Sequence, residues 1–385
     1  MDTIHKGGCD NVFDMYSEEP SVKDSERMRR STTVPIEHSS IEPGTPLPKQ
    51  MDTFWPSKVN KLLLEKLIYA HIQRNTPVTR QYPTVLGQVT REDEKWQCIM
   101  VHDGRETLQG HLHSTFEEAD LRIAIHVMDS LQAGHKVCVV ICNDTDVIVA
   151  LLYHMPVFLQ HDLAELWVRA GVGDTTRYVP IHTLFQRLGS RLCAVLPALH
   201  SLTGCDITSR VGTKKAALKA EAEKFLKHFG TSSALSPAQI RKAEHYLVKV
   251  LNKASDATNF SDHRVEVFYF SKCSSLHSLP PTSQGLLPHI QRGFYNAYTT
   301  MHALESHLDP GMVETLKPEC CGYEYNQGLL MPTKTWKTLD IIWSVFCSCA
   351  KCARSSCPCR KDGLKCVKFC HCQKAVPHAC KNPVT

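Results

Sequence analysis

STFEEADLRIAIHVMDSLQAGHKVCVVICNDTDVIVALLY, residues 114–153, holds two kinds of hydrophobic order side by side. Ser114 and Glu117 have the Ser-x-x-Glu spacing of a capping box, which predicts that a helix opens there. Leu121, Ile125, Met128 and Leu131 follow at helical spacing, and Ala133-Gly134 ends the run. Residues 136–142, Lys-Val-Cys-Val-Val-Ile-Cys, are then continuously apolar over one strand length, as in a buried parallel strand. Asn143-Asp144-Thr145-Asp146 leads into a second apolar helix over 147–153. Helix, strand, acidic loop and helix are the parts of an open α/β sheet. Ligands in such sheets sit just past the carboxyl ends of strands, where Asp144 and Asp146 fall.

Outward from this unit the punctuation continues. Residues 11–16 read as the end of a strand, and 59–72 as a helix through Leu62, Leu63, Leu67 and Ile68. Between them, residues 31–56 are rich in Ser, Thr, Pro and Glu without an apolar period, which predicts a mobile linker or loop. Downstream, a helix follows Pro180, and Val211-Gly212-Thr213-Lys214-Lys215-Ala216 opens another. Ser236-Pro237 begins one that runs to Leu251. Residues 264–271, Arg-Val-Glu-Val-Phe-Tyr-Phe-Ser, alternate as a strand would, and 284–308 read as helix.

The whole chain carries a formal net charge of +5, yet residues 347–385 hold eight Lys/Arg against one acid, Asp362. The basic charge is concentrated there, which points to an anionic partner for the tail. Nine of the 18 cysteines also lie in this tail. No stretch of 18 apolar residues and no apolar segment at the N-terminus predict neither a membrane span nor a secretory signal, so the cysteines are expected to be thiols or metal ligands.

Six acids fall where such a sheet would gather them: Asp14, Glu118, Asp120, Asp144, Asp146 and Asp206. Carboxylates from separate strand ends and helix starts can hold Mg²⁺ or Mn²⁺, and two such ions support phosphodiester hydrolysis. Each acid alone also has a structural use. Glu118 could complement a helix dipole, Asp144 could cap a helix, and Asp206 could sit in a turn.

The ordered set Phe13-Asp14, Glu118-Ala119-Asp120, Asp144-Thr145-Asp146, Leu202-Thr203-Gly204-Cys205-Asp206 and Val211-Gly212-Thr213-Lys214-Lys215-Ala216 resembles the flap endonuclease and XPG-type branch of the PIN-like nucleases. The resemblance implies an α/β PIN-like fold, an open and mostly parallel sheet with a helix–two-turn–helix element. It implies metal carboxylates at Glu118, Asp120, Asp144, Asp146 and Asp206, with Asp14 after an earlier strand. Lys23 and Arg27, or its neighbours Arg29 and Arg30, would steer the scissile phosphate, and Gly212, Lys214 and Lys215 would clamp a duplex phosphate. The family has a further strand and Asp ahead of Phe-Asp, and Arg210 stands where a Gly is usual. Weak or lost cleavage is therefore expected, with a non-catalytic chromatin-binding scaffold as the alternative.

The tail reads Cys347-x-Cys349-x2-Cys352-x4-Cys357-x-Cys359-x6-Cys366-x3-Cys370-x-Cys372-x7-Cys380. Such spacings let neighbouring thiolates share a metal. Three tetrahedral Zn²⁺ ions need twelve ligand positions, which nine cysteines fill if three sulfurs bridge. Leu364, Val367 and Phe369 are too small an apolar core to fold the segment, so metal is expected to supply the folding free energy. The pattern resembles the tesmin-type CXC zinc module, whose members bind DNA. By that resemblance Lys351, Arg354, Arg360 and Lys361 are the DNA contacts.

The predicted organisation is a remnant of the nuclease domain over 1–30, a linker or loop over 31–56, a PIN-like core over 57–230, a helical connecting region over 231–346 and a CXC zinc module over 347–382. Chains joining these two parts resemble products of animal mobile elements. The expected partners are DNA and chromatin proteins rather than a membrane, and the expected location is the nucleus.

Overall fold

The computed structural model describes residues 8–16, 20–23, 25–26, 34–75, 83–90, 96–270, 279–305, 317–334, 347–353, 356–361, 365–366, 370–372 and 380–382. Two compact units divide the chain, Met1–Glu266 with Thr282–Thr333, and Val267–Pro281 with Lys334–Thr385.

Among the described residues the first unit mixes helices with three small sheets. β1 (Cys9–Val12) pairs in parallel with β2 (Thr84–Thr90), which continues antiparallel to β3 (Trp96–His102) and β4 (Arg105–Leu108). β5 (Val137–Ile141) pairs in parallel with β6 (Glu165–Ala170), and β6 is antiparallel to β7 (Arg177–Pro180). The architecture is thus mixed α/β with parallel pairings, and the expectation of a mostly parallel sheet is corrected. The reason is local: β3 and β4 are joined by Asp103-Gly104, both at positive φ (50° and 71°), the two-residue turn that folds a hairpin back on itself. The same kind of turn at Gln327-Gly328 joins β8 (Tyr323–Asn326) to β9 (Leu329–Pro332), so the region over 231–346 is not purely helical.

Helix α1 (Lys58–Asn75) covers the predicted 59–72 run. Helix α2 (Ala119–Gln132) starts later than the capping box predicted. Ser114 Oγ accepts from the Phe116 N–H and closes its own turn, while the first helical N–H, of Ala119, is met by Asp14 Oδ1 at 2.9 Å. The cap comes from 105 residues away, which no local motif encodes.

Strand β5 is parallel as read but not buried on both faces. Cys138 and Val140 pack into the core, whereas Val137, Val139 and Ile141 are exposed. The strand is an edge of its three-stranded sheet, and its second face is uncovered. Helix α3 (Thr145–Gln160) follows, and α4 (Ile181–Leu188) falls where a helix was expected after Pro180, whereas α5 (Ser190–Thr203) is a further helix that the sequence reading did not place.

A turn leads from α5 to the short α6 (Lys214–Lys219) and α7 (Ala222–Leu226), then α8 (Pro237–Leu251). Ser236 and Gln239 form a reciprocal capping box on α8. The described part of the expected strand over 264–271 is helical instead: α9 spans Phe260–Phe270, and Ser271 lies outside the described residues. Glu244 accepts the Phe260 N–H at 2.7 Å and Asn259 accepts the Asp262 N–H at 2.8 Å, so satisfied first-turn donors commit the segment to a helix despite its alternating pattern. α10 (Ser283–Met301) ends earlier than 308. Its Ile290, Phe294, Ala297 and Tyr298 share one core with Leu199 and Leu202 of α5 and Tyr246 and Leu247 of α8. Residues 34–56 carry only a 3-10 turn, Met51–Thr53.

Among the described residues no helix is long and apolar enough to cross a membrane.

Candidate functional site

The N-terminal ends of α2 and α3 and the turn after α5 converge on one pocket of about 190 Å³, lined by Lys23, Glu118, Asp120, Asp146 and Asp206 among others. The backbone sets this up. The Phe13 N–H donates to Gly87 O at 3.2 Å and the Met15 N–H to Glu117 O at 2.8 Å, which carries Asp14 from the sheet to the start of α2. Asp144 caps α3 by accepting the Asp146 N–H at 2.9 Å. The cap reading for Asp144 is therefore correct, and Asp144 still stands close enough to Asp120 to disfavour its ionisation.

The electrostatics are those of buried acids with anionic neighbours. Burial, then the charges of Asp144, Asp14 and Asp146, push the Asp120 carboxyl up to about 7. Burial likewise pushes Glu118 up to about 7, with Lys23 pulling against it. Lys23 ion-pairs with Glu118 and lies 3.4 Å from Asp206 Oδ2. Burial works to lower its pKa, but Glu118, Asp120 and Asp206 outweigh burial and hold the ammonium charged. Asp146 goes the other way: burial would raise it, but the hydrogen bond from His200 Nε2 at 2.7 Å keeps it below the usual carboxylate range.

These residues suit a hard divalent cation in chemistry. Glu118 Oε1 is buried without a hydrogen-bond partner among the described residues, and a protein cation already sits between Glu118 and Asp206. Their spacing is wide, however. Among the described residues the metal-ligand groups whose atoms all lie within 4.8 Å of one another are cysteine sets. A bound cation would have to draw the carboxylates inward.

Arg122 was not picked out from the sequence. It is fully buried beneath the acids, donating to the carbonyls of Phe13 and Glu117 (the latter at 3.2 Å), so one guanidinium ties the Asp14 segment to the Glu118 segment. Burial lowers its pKa to about 10, with Asp14 opposing. Tyr295 and Asn296 of α10 wall the pocket from 90 residues further along the chain and were also missed. An Arg on the buried, largely apolar face of α2 was the available signal for the first; nothing local marked the others.

Of the predicted basic residues, Lys23 joins the carboxylates directly. Arg27, Arg29, Arg30 and Arg354 lie outside the described residues. Gly212 has φ +65°, and a Cβ there would stand 2.6 Å from Val250 Cγ1, so packing of the turn against α8 requires glycine whatever else the turn does. Lys214 is exposed, and its ammonium reaches back to His200 Nδ1, Thr203 Oγ1 and two carbonyls. Lys215 is exposed.

In the second unit the tail cysteines pack on one another. Cys347, Cys352, Cys357, Cys359, Cys366, Cys370 and Cys372 are buried, with Cys349 and Cys380 beside them. The Cys347 sulfur lies 3.2 Å from Cys352 and 3.8 Å from Cys366, and Cys359 lies 3.6 Å from Cys370. Three quartets have metal-binding spacing: 347/349/352/357, 347/357/359/366 and 347/352/366/372. Cys347 belongs to all three, as a bridging sulfur would. Burial drives Cys347, Cys352, Cys359, Cys366 and Cys372 above the ordinary thiol value. Cys357 falls to about 7, because N–H donors at Arg360 and Cys359 and neighbouring thiols outweigh burial. Such a cluster cannot ionise as a whole without a cation, and its donor set suits zinc. Asn382 Nδ2 donates to Cys366 Sγ at 3.3 Å, which gives the Cys-Lys-Asn end a role its motif did not disclose. Lys351, Arg360 and Lys361 are exposed, and Arg360 Nη1 also donates to Ala353 O at 3.0 Å.

No protein-family model, curated protein or solved structure matches the chain.

Proposed function

We propose that this is a nuclear, DNA-binding zinc protein whose α/β unit carries a PIN-like, divalent-cation-dependent site for phosphodiester hydrolysis. One observation carries the reading of the α/β unit: Glu118, Asp120, Asp146 and Asp206 line one pocket, and the charges of Asp14 and Asp144 reach Asp120 there, although nothing in their separate local sequences requires it. Glu118, Asp120, Asp146 and Asp206 would hold Mg²⁺ or Mn²⁺, with Asp14 and Asp144 behind them. Such an ion, when bound, supplies a polarised water and charge stabilisation at the phosphate. The chain's own residues order the pocket. Arg122 joins the two acid-bearing segments, and Lys23 neutralises part of their charge. In the tail, nine cysteines would hold three zinc ions with bridging sulfurs, leaving a cluster charge of −3 for the surrounding Lys and Arg to offset. Those basic residues are the proposed contacts to DNA phosphates.

Neutralising one carboxylate should remove about 3 kcal/mol of transition-state support, a hundredfold or more in rate. Asp144→Asn and Asp206→Asn should each abolish Mg²⁺- or Mn²⁺-dependent cleavage of a branched DNA while leaving DNA binding intact. Cleavage persisting in both variants, or in EDTA, rejects the reading.

A specific observation favours a second reading, a non-catalytic DNA-binding scaffold. Lys23 fills the space between Glu118 and Asp206, and the carboxylates are spaced more widely than one ion's shell. A wild-type chain that binds DNA, cuts nothing and takes up no divalent cation in the pocket would establish it.

A further inference from the structure

Behind the carboxylates runs a short chain of side chains that the sequence did not suggest. Asp146 Oδ1 lies 2.7 Å from His200 Nε2. The other ring nitrogen, Nδ1, lies 3.2 Å from Lys214 Nζ. His200 is in the last turn of α5 and Lys214 is the first residue of α6, so the chain spans the whole turn between the two helices. All three side chains are well inside hydrogen-bonding range, and His200 and Asp146 are 13% and 26% exposed.

Hydrogen-bond chemistry favours one direction for this chain. A lysine ammonium has three protons and no acceptor, so it can meet Nδ1 only as a donor, here sharing three protons among four acceptors. Nδ1 therefore carries the lone pair, and a neutral ring then has its proton on Nε2. That proton faces Asp146 Oδ1. The Lys214 ammonium is held in place by three further acceptors, Gly204 O at 2.7 Å, Thr203 Oγ1 at 3.0 Å and His200 O at 3.1 Å. Thr203 Oγ1 in turn donates to Leu199 O at 2.7 Å, which leaves its lone pairs for Lys214.

We propose that Lys214 and His200 act as positioning residues for Asp146: Lys214 locks His200 in the Nε2–H tautomer, and that N–H fixes the Asp146 carboxylate through Oδ1, leaving Oδ2 for the pocket. The proposal rests on the cation reading of the pocket for its use, but the lock itself is independent of any ion. It also reassigns Lys214. Lys214 and Lys215 are both exposed, but the Lys214 protons are shared among acceptors of the turn, which leaves Lys215 the better placed of the two for a phosphate. The plain competitor is a helix end in which Lys214 serves only the last carbonyls of α5. That competitor accounts for two of the four contacts but not for the bond to a ring nitrogen.

The test uses the full chain, zinc-loaded and free of other divalent cations, with ¹⁵N-labelled histidine. Long-range proton–nitrogen correlation at a pH where the ring is neutral reads the tautomer, and the His200→Gln variant assigns the signal. The expected result is Nε2–H in the wild type and loss of that preference in Lys214→Met. Mn²⁺ titration follows. His200→Phe should bind Mn²⁺ about tenfold more weakly than the wild type, and His200→Gln, which keeps a donor near the Nε2 position, within about threefold of it. An Nδ1–H tautomer in the wild type, or one unchanged by Lys214→Met, overturns the lock. Equal Mn²⁺ affinity in wild type and His200→Phe overturns the positioning role while keeping the cation reading. The expected tautomers with no Mn²⁺ bound by any variant keep the lock and reject the cation reading. A melting temperature equal to wild type in His200→Gln shows that the comparison is not one of unfolded chains.

Discussion

Replacing Asp120 by Asn should stabilise the metal-free protein. The Asp120 carboxyl moves from an ordinary 3.8 to about 7 because it is buried among Asp144, Asp14 and Asp146. A shift of that size corresponds to about 4 kcal/mol between the two protonation states. Solvent at the mouth of the pocket screens part of it, so about 2 kcal/mol is the expected gain. The sign follows from proton binding. Between pH 4 and 7 the folded state keeps a proton that the unfolded state has lost, so stability falls as pH rises through this window, and the full penalty is present above pH 7. Asn carries no charge and escapes it. In calorimetry of the full chain in EDTA at pH 8, Asp120→Asn should melt about 3 °C above wild type, and the gain should shrink towards pH 5. Saturating Mn²⁺ should reverse the order, because a ligand bound only by the folded wild type stabilises it by mass action. A variant that melts below wild type at pH 8, or a gain equal at pH 5 and pH 8, would refute the claim that these acids are held in a strained anionic cluster.

Three further outcomes are expected. Native mass spectrometry of the full chain should find close to three zinc ions, and chelation should abolish the dispersed amide signals of residues 347–382; two ions or fewer would reject the bridged cluster. Removing residues 347–385 should weaken duplex binding at least about tenfold and flatten its salt dependence, and unchanged affinity would place the DNA surface elsewhere. His154 is buried with Nε2 3.0 Å from Thr300 O, and burial lowers its pKa to about 4. As pH falls from 6.5 to 4 the unfolded state takes up a proton that the folded state refuses, so about 3 kcal/mol of stability should be lost over that window. His154→Gln should flatten the stability profile there, and an unaltered profile would mean that the ring charges without cost.

The parts of this molecule that local sequence encodes were legible, and those that depend on distant partners were not. Helices α1, α3, α4 and α8 announce themselves by period, Pro and caps. The tail cysteines announce themselves by spacing, since ligands to one cluster must lie close along so short a chain. The start of α2 was misplaced because its cap is Asp14, and α9 was misread because its caps, Glu244 and Asn259, lie outside the alternating segment. Arg122 and His200 escaped notice for the same reason. Each works through residues far away in sequence, Phe13 in one case and Asp146 in the other.

This division bears on how the acids should be weighed. Asp14 and Asp144 both cap helices and both load charge onto Asp120. A cap needs only one short polar side chain at each helix start, and Ser or Asn would serve without charge. Using aspartate at both places, beside Asp120 and Glu118, costs stability through repulsion that neutral caps would avoid. Lys23 relieves only part of this, since Glu118 and Asp120 still lie near 7 with the ammonium in place. The cluster therefore holds more negative charge than its structural duties require, and a cation is what would use the excess.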